Sequence, residues 1–191
     1  YEEFLTFYDP ALRKSLGVFY TPVQAVQYLI SFVDKILVKD FAIEGGLSNN
    51  EQITTKVPCA PYKITKNKWS DEMTISVPRV AILDPACGTG SFGAEIIKYI
   101  KNTYFSGARS VFYENYIQQE NGLLSRLIGF EIMMTSYVVA HLKIRRTIDE
   151  TLGHLPTTQL PTNIFLTNTL TPPMSDLERG EQLTLFDFSA A

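Results

Sequence analysis

Val80-Ala81-Ile82-Leu83-Asp84-Pro85-Ala86-Cys87-Gly88-Thr89-Gly90-Ser91-Phe92-Gly93 is the stretch that decides the fold. Four apolar residues in a row, Val80 to Leu83, suit a short strand buried on both faces of a parallel sheet. A glycine-rich turn follows, then a helix through Ile96, Ile97 and Ile100. Downstream the same grammar repeats. Leu127-Ile128-Gly129-Phe130-Glu131 reads as a second strand. Met134, Tyr137, Val138, His141 and Leu142 then mark one face of a helix that ends near Gly153. Asn163-Ile164-Phe165-Leu166-Thr167-Asn168 reads as a third strand, and the aromatic stretch from Tyr104 to Tyr116 as an extra helical piece with buried rings. Strand, helix, strand, helix, strand predicts an open parallel sheet covered by helices, an α/β fold.

Ahead of this core, Phe19-Tyr20-Thr21-Pro22 predicts a helix start. Thr21 can cap, Pro22 suits the first helical position, and Gln24 completes a capping box. Val26, Leu29, Ile30, Val33, Ile36 and Leu37 then recur at helical spacing, with Gln27, Ser31 and Asp34 turned outward. Between 40 and 78 the periodicity dissolves. Gly45-Gly46, Asn49-Asn50, three prolines and Lys56, Lys63, Lys66 and Lys68 predict an insertion with room for a short hairpin, its lysines solvated. The plan is an N-terminal helical segment over 1–39, an insertion loop over 40–78 and a core over 79–191.

Composition narrows the class. A chain of 191 residues, 45% hydrophobic and 19% charged, is one domain with a sizeable core. Its net charge of -3 excludes the strongly basic footprint of a self-sufficient duplex-DNA binder. Cys59 and Cys87 cannot build a disulfide framework and are not spaced like zinc ligands, which fits a reduced, intracellular setting. No apolar run approaches the ~20 residues that span a bilayer. The chain opens at Tyr1 and is read as a piece of something longer.

Gly88-Thr89-Gly90-Ser91-Phe92-Gly93 satisfies G-x-G-x-x-G, and three ligands compete for such a loop. A phosphate-binding P-loop needs a lysine after the glycines, and none stands there. A dinucleotide loop brings backbone amides against a pyrophosphate, but here Asp84 closes the strand, and a carboxylate there repels phosphate. The same carboxylate welcomes an ammonium or a sulfonium, and S-adenosyl-L-methionine offers both. Glu131 closes the second strand, where an acidic side chain accepts hydrogen bonds from ribose hydroxyls. Its distance from the glycines exceeds the ~20 residues usual for NAD. Cys87 has no base in reach and reads as structural. His141 reads as a core histidine and His154 as exposed. Neither joins a metal constellation. Lys143, Arg145 and Arg146 are read as helix-end charges that complement the dipole there.

Asp84 to Phe92 resembles motif I of the gamma-class N6-adenine DNA methyltransferases. Gly17-Val18-Phe19-Tyr20-Thr21-Pro22 is similar to that group's motif X, Gly129-Phe130-Glu131-Ile132 to motif II, and Leu166-Thr167-Asn168-Thr169-Leu170 to motif III. The run from Gly129 to Lys143 most resembles the methyltransferase part of type ISP restriction-modification enzymes. Four motifs in the right order span Gly17 to Leu170. The resemblance implies a class I S-adenosylmethionine-dependent methyltransferase fold, a Rossmann-like open sheet incomplete at its C-terminal side. It further implies that Phe19, Tyr20 and Thr21 hold the methionine end of the cofactor, with Thr21 at its carboxylate. Asp84, Pro85, Ala86, Gly88 and Gly90 would wrap methionine and ribose, and Glu131 would take the ribose hydroxyls. Ile132 would pack on the cofactor adenine and Asn168 would bond its edge.

The group's catalytic motif IV, Asn/Asp/Ser-Pro-Pro-aromatic, is missing. Thr171-Pro172-Pro173-Met174 has threonine where the amine acceptor belongs and no aromatic to stack a flipped base. The expectation is therefore a cofactor-binding portion of a DNA adenine-N6 methyltransferase, inactive alone and without a metal. Its partner would be double-stranded DNA, bound through domains outside this chain, in a bacterial or archaeal cytoplasm and away from membranes. Two alternatives stay open: an RNA or protein amino-methyltransferase, and a non-catalytic cofactor-binding module.

Overall fold

A computed structural model describes residues 21–65, 68–119, 121–153 and 162–169. Phe19, Tyr20, His154 and the Thr171-Pro172-Pro173-Met174 turn lie outside these residues. Helix α1 (Val23–Lys39) leads into a 3-10 turn at Gly46–Ser48 and a hairpin of β1 (Gln52–Thr65) and β2 (Lys68–Pro78). The core follows as β3 (Ile82–Asp84), α2 (Ser91–Tyr104), the short helices α3 (Tyr113–Gln118) and α4 (Leu123–Arg126), β4 (Leu127–Glu131), α5 (Met134–Leu152) and β5 (Asn163–Leu166). Strands β3, β4 and β5 pair in parallel in that order, with Asp84 beside Gly129 and Gly129 beside Ile164. The molecule is thus mixed α/β with an open parallel sheet.

Several expectations need correcting. The first strand begins at Ile82 rather than Val80, and it is not buried on both sides, since Leu83 is 56% exposed. Alternation along the strands explains this. Leu127, Gly129 and Ile164 share the face that meets α2 and α5, in one core with Ile97, Ile100, Ile144 and Ile148. Leu83, Phe130 and Phe165 share the other face, where the two phenylalanine rings lie 6.1 Å apart and Phe165 is still partly exposed.

The buried face of α5 is also not the one its large apolar residues mark. Met134, Val138 and Leu142 are exposed, while Ser136, Ala140, Ile144, Thr147 and Ile148 are buried. Small residues win that face because the glycine turn lies against it, as described below. On α1, Val26 and Ile30 are buried as expected, but Leu29 and Val33 are exposed and Asp34 is buried. The carboxylate of Asp34 accepts hydrogen bonds from Tyr99 Oη at 2.9 Å, Tyr104 Oη at 2.7 Å and the Leu47 amide at 2.8 Å. It ties α1, the 3-10 turn and α2 together. Burial and this carboxylate push the Tyr99 phenol up to about 12. No capping box forms at the start of α1. Pro22 is the N-cap residue, and its carbonyl accepts from Ala25 and Val26.

The aromatic stretch forms a 3-10 segment and α3 rather than one helix. Tyr113 and Tyr116 are buried against Phe105, whereas Phe112 is exposed. The insertion is not a loop with a short hairpin: β1 and β2 run 14 and 11 residues. Arg126, fully buried, holds the base of this hairpin to the core. It donates to the carbonyls of Val80 at 3.2 Å and Leu47 at 2.7 Å and bonds the Tyr116 hydroxyl.

Asp34→Ala leaves two phenols and one amide without their shared acceptor. The expected loss is about 3 kcal/mol, or roughly 6–12 °C in melting temperature for a chain of this size. Thermal denaturation followed by circular dichroism checks it, and an unchanged melting temperature contradicts the latch.

Candidate functional site

β3 ends on Asp84, and the turn that follows is closed by the chain's own polar groups. The Ala86 amide donates to Asp84 Oδ1 at 3.3 Å, a local Asp turn. The Cys87 amide donates to the Phe130 carbonyl at 2.9 Å, which draws the turn across the end of β4. Such an approach leaves no room for a side chain at Gly129, where a Cβ would stand 3.1 Å from Cys87 Sγ. Gly88 and Gly90 take left-handed backbone (φ +55° and +75°), and the Gly90 carbonyl starts α2 by accepting from Ala94. A Cβ on Gly90 would lie 3.2 Å from both Cα and Cβ of Ala140 on α5.

β4 ends on Glu131, which is 8% exposed and accepts from the Met133 amide through Oε1 at 2.8 Å. Ile132 beside it is 62% exposed, an apolar surface at the rim. The segment leaving β5 is stitched to both neighbours. The Thr167 amide donates to the Glu131 carbonyl at 2.8 Å, and Thr169 Oγ1 donates to the Pro85 carbonyl at 3.3 Å. Exposed Asn168 lies between those two anchors. The structure thus gathers Asp84, Pro85, Ala86, Gly88, Gly90, Glu131, Ile132 and Asn168 at the carboxyl ends of three adjacent parallel strands, where open α/β sheets place their ligands. Thr21 stands apart from this group, just ahead of α1. Val23, two residues on, lines a cavity of about 330 Å³ together with Ser91, so the start of α1 lies beside the start of α2.

The electrostatics of the crevice are acidic. Burial raises the Asp84 carboxyl above its usual range, and the charge of Glu131 raises it further, against the Ala86 hydrogen bond. Burial, then the Asp84 and Glu131 charges, push the Cys87 thiol up to about 12, so it stays protonated and unreactive. Two carboxylates at adjacent strand ends disfavour a phosphate. They suit an ammonium, a sulfonium or a pair of hydroxyl donors. Among the described residues no three His, Cys, Asp or Glu side chains gather to hold a metal ion.

Lys143 does not stand at a helix end. It lies well inside α5, and its ammonium donates to Thr89 Oγ1 at 3.2 Å and Ser91 Oγ at 2.9 Å. Burial lowers its pKa, so holding this ammonium against the turn carries a desolvation cost. Arg145 and Arg146 pair along the helix with Asp149 and Glu150 at 3.3 and 2.7 Å rather than with its dipole. His141 Nδ1 lies 2.6 Å from Thr162 Oγ1, but Nε2 is buried without a partner, so this histidine is only half satisfied. Next to the crevice, Leu29, Val33, Leu83, Pro85 and Phe92 line an apolar groove of about 420 Å³. Among the described residues no strand pairs with the outer edge of β3.

No protein-family profile and no curated protein matches the sequence. Solved structures do. A segment of the DrdV–DNA complex is 27% identical with a TM-score of 0.51, covering 87% of this chain and 12% of that one. A nuclease-deletion mutant of the type ISP restriction-modification enzyme LlaGI, in complex with a DNA substrate mimic, is 22% identical with a TM-score of 0.54. The ATP-dependent type ISP restriction-modification enzyme LlaBIII, bound to DNA, is 22% identical with a TM-score of 0.55. Each of these two matches covers 96% of this chain, which corresponds to 13% of the LlaGI chain and 11% of the LlaBIII chain. At that identity the likeness is one of fold. The chain spans only a small part of the length of all three proteins.

The raised Asp84 carboxyl sets a sign for its replacement. A carboxyl whose folded-state pKa is raised costs stability when ionised. The cost is fully present above the folded pKa and vanishes below the unfolded one. Asp84→Asn therefore raises the melting temperature at pH 7, and the gain shrinks as pH falls through the carboxylate range. Melting curves from pH 7 to pH 4 check this. A variant less stable than the wild type at pH 7 contradicts the burial and repulsion inferred for the crevice.

Proposed function

We propose that this chain is the S-adenosyl-L-methionine-binding portion of a DNA adenine-N6 methyltransferase within a restriction-modification or related phage-defence protein. The observation that carries the reading is the acidic pair, Asp84 and Glu131, at the ends of neighbouring parallel strands with a left-handed glycine turn between strand and helix. Bound there, the cofactor would supply a methyl group on a positively charged sulfur. Asp84 offers a carboxylate to its cationic end, and the turn from Pro85 to Gly90 offers close backbone. Glu131 uses Oε1 for the Met133 amide, and its remaining lone pairs can accept from the two ribose hydroxyls. Exposed Ile132 and Asn168 fit the flat adenine and its edge. Phe19, Tyr20 and Thr21 are assigned to the methionine end, with Thr21 at its carboxylate.

The DNA part of the reading is supported by the solved neighbours, all three of which are complexes with DNA or a DNA mimic. A net charge of -3 assigns most of the grip on DNA to partner domains. No residue of this chain is assigned to the methyl-transfer step, because no Asn-Pro-Pro-aromatic run is present to hold a flipped adenine.

Isothermal titration calorimetry tests the cofactor assignment. S-adenosyl-L-methionine is expected to bind and NAD not. Asp84→Ala and Glu131→Ala should each weaken binding by about tenfold or more, or ~1.4 kcal/mol. NAD binding in place of S-adenosyl-L-methionine overturns the proposal. Methyl transfer to adenine-containing duplex DNA by this chain alone overturns the assignment of that step to other parts of the protein.

A further inference from the structure

Helix α5 grips the glycine turn at three successive residues. Ala140 meets Gly90, where a Cβ would stand 3.2 Å from both its Cα and its Cβ. Lys143 follows three positions later, on the same side of the helix. Its ammonium donates to the two hydroxyls that flank that glycine, Thr89 Oγ1 at 3.2 Å and Ser91 Oγ at 2.9 Å. Thr89 is buried. Gly90 itself is left-handed (φ +75°), and its amide donates to the Cys87 carbonyl at 2.8 Å. Its carbonyl accepts from the Ala94 amide at 3.0 Å, so the turn closes and α2 begins at one residue.

A lysine is a demanding choice for this place. Among the described residues Lys143 makes no ion pair. Glu95, the acid whose charge it feels, is bonded to Lys98 at 3.0 Å and to Gln27 at 2.8 Å. Burial disfavours the ammonium, and the Lys98 charge adds to that. An ammonium is, however, a donor only. Both hydroxyls must accept from it, so one side chain fixes two oxygens and, through them, the backbone on either side of Gly90. A cation kept half-buried against two neutral hydroxyls fits a positional task better than a contribution to stability.

We propose that Lys143 is a positioning residue for the crevice. By clamping Thr89 and Ser91 it holds the backbone from Gly88 to Gly90 in the shape that receives the ligand, acting through these residues and not on the ligand itself. The clamp belongs to the free chain. Its consequence for binding rests on the reading of the crevice as an S-adenosyl-L-methionine site.

Hydrogen exchange of the Gly90 amide, followed by nitrogen-15 NMR on the ligand-free chain, reads the clamp alone. Lys143→Met should speed that exchange about tenfold, while the core amides of Ile97 and Ile100 exchange as in the wild type. Ser91→Ala removes one of the two bonds and should speed it less. Calorimetry on the same chains reads the consequence. S-adenosyl-L-methionine affinity should fall about tenfold in Lys143→Met and less in Ser91→Ala, and the double variant should bind no more weakly than Lys143→Met alone. Arg146→Gln, an exposed change on the same helix, should bind as the wild type does. A Gly90 amide that exchanges at the wild-type rate in Lys143→Met, or losses of affinity that add in the double variant, overturns the proposal. A Gly90 amide that is loosened in a chain whose wild type binds no S-adenosyl-L-methionine upholds the clamp and overturns the cofactor reading instead.

Discussion

Everything at the crevice depends on how closely the turn after β3 approaches its neighbours. The Cys87 amide reaches the Phe130 carbonyl only because Gly129 leaves space under the cysteine sulfur. On the other side, Gly90 rests on the backbone and methyl of Ala140, so a larger residue at either position pushes α5 from the turn. These contacts fix where Asp84 stands relative to Glu131, and hence the acidic character of the whole site. They also explain why α5 buries Ser136 and Ala140 while Met134, Val138 and Leu142 face outward. Packing density around a bare turn outranks the burial of large apolar side chains there.

Charge is arranged on both sides of the same turn. Asp84 and Glu131 stand at the crevice; burial, with the Glu131 charge added, lifts the Asp84 carboxyl, and burial, with both carboxylates added, lifts the Cys87 thiol. Lys143 holds the far side through the hydroxyls of Thr89 and Ser91. One cation and two anions are thus held on opposite sides of a few residues of loop.

The sheet was legible because its signals are local. Leu127–Glu131 has the right bounds, and Asn163–Leu166 begins where the apolar run begins. The acidic ends of two strands and the glycine turn could be read from residue type alone. What could not be read depends on distant partners. Asp34 looks like any outward carboxylate until Tyr99 and Tyr104 arrive from α2. Arg126 stands just ahead of a strand-like run and gives no hint of two carbonyls far along the chain. Lys143 falls one turn after Ala140, and that spacing has meaning only once the buried face of α5 is known. The hairpin was expected only as a short one, because Pro58, Pro61 and the lysines read as loop punctuation. A two-stranded ribbon with no sheet to join imposes little pattern on its sequence.

The central claim is that the carboxyl ends of β3, β4 and β5 form one cofactor site. Nitrogen-15 NMR of the full chain, titrated with S-adenosyl-L-methionine, tests it most directly. The account predicts shifts concentrated at the amides of Ala86, Gly88, Gly90, Met133, Thr167 and Asn168, with the Gln52–Val57 stretch of the hairpin silent. Shifts confined to other surfaces, or none at saturating ligand, would contradict it.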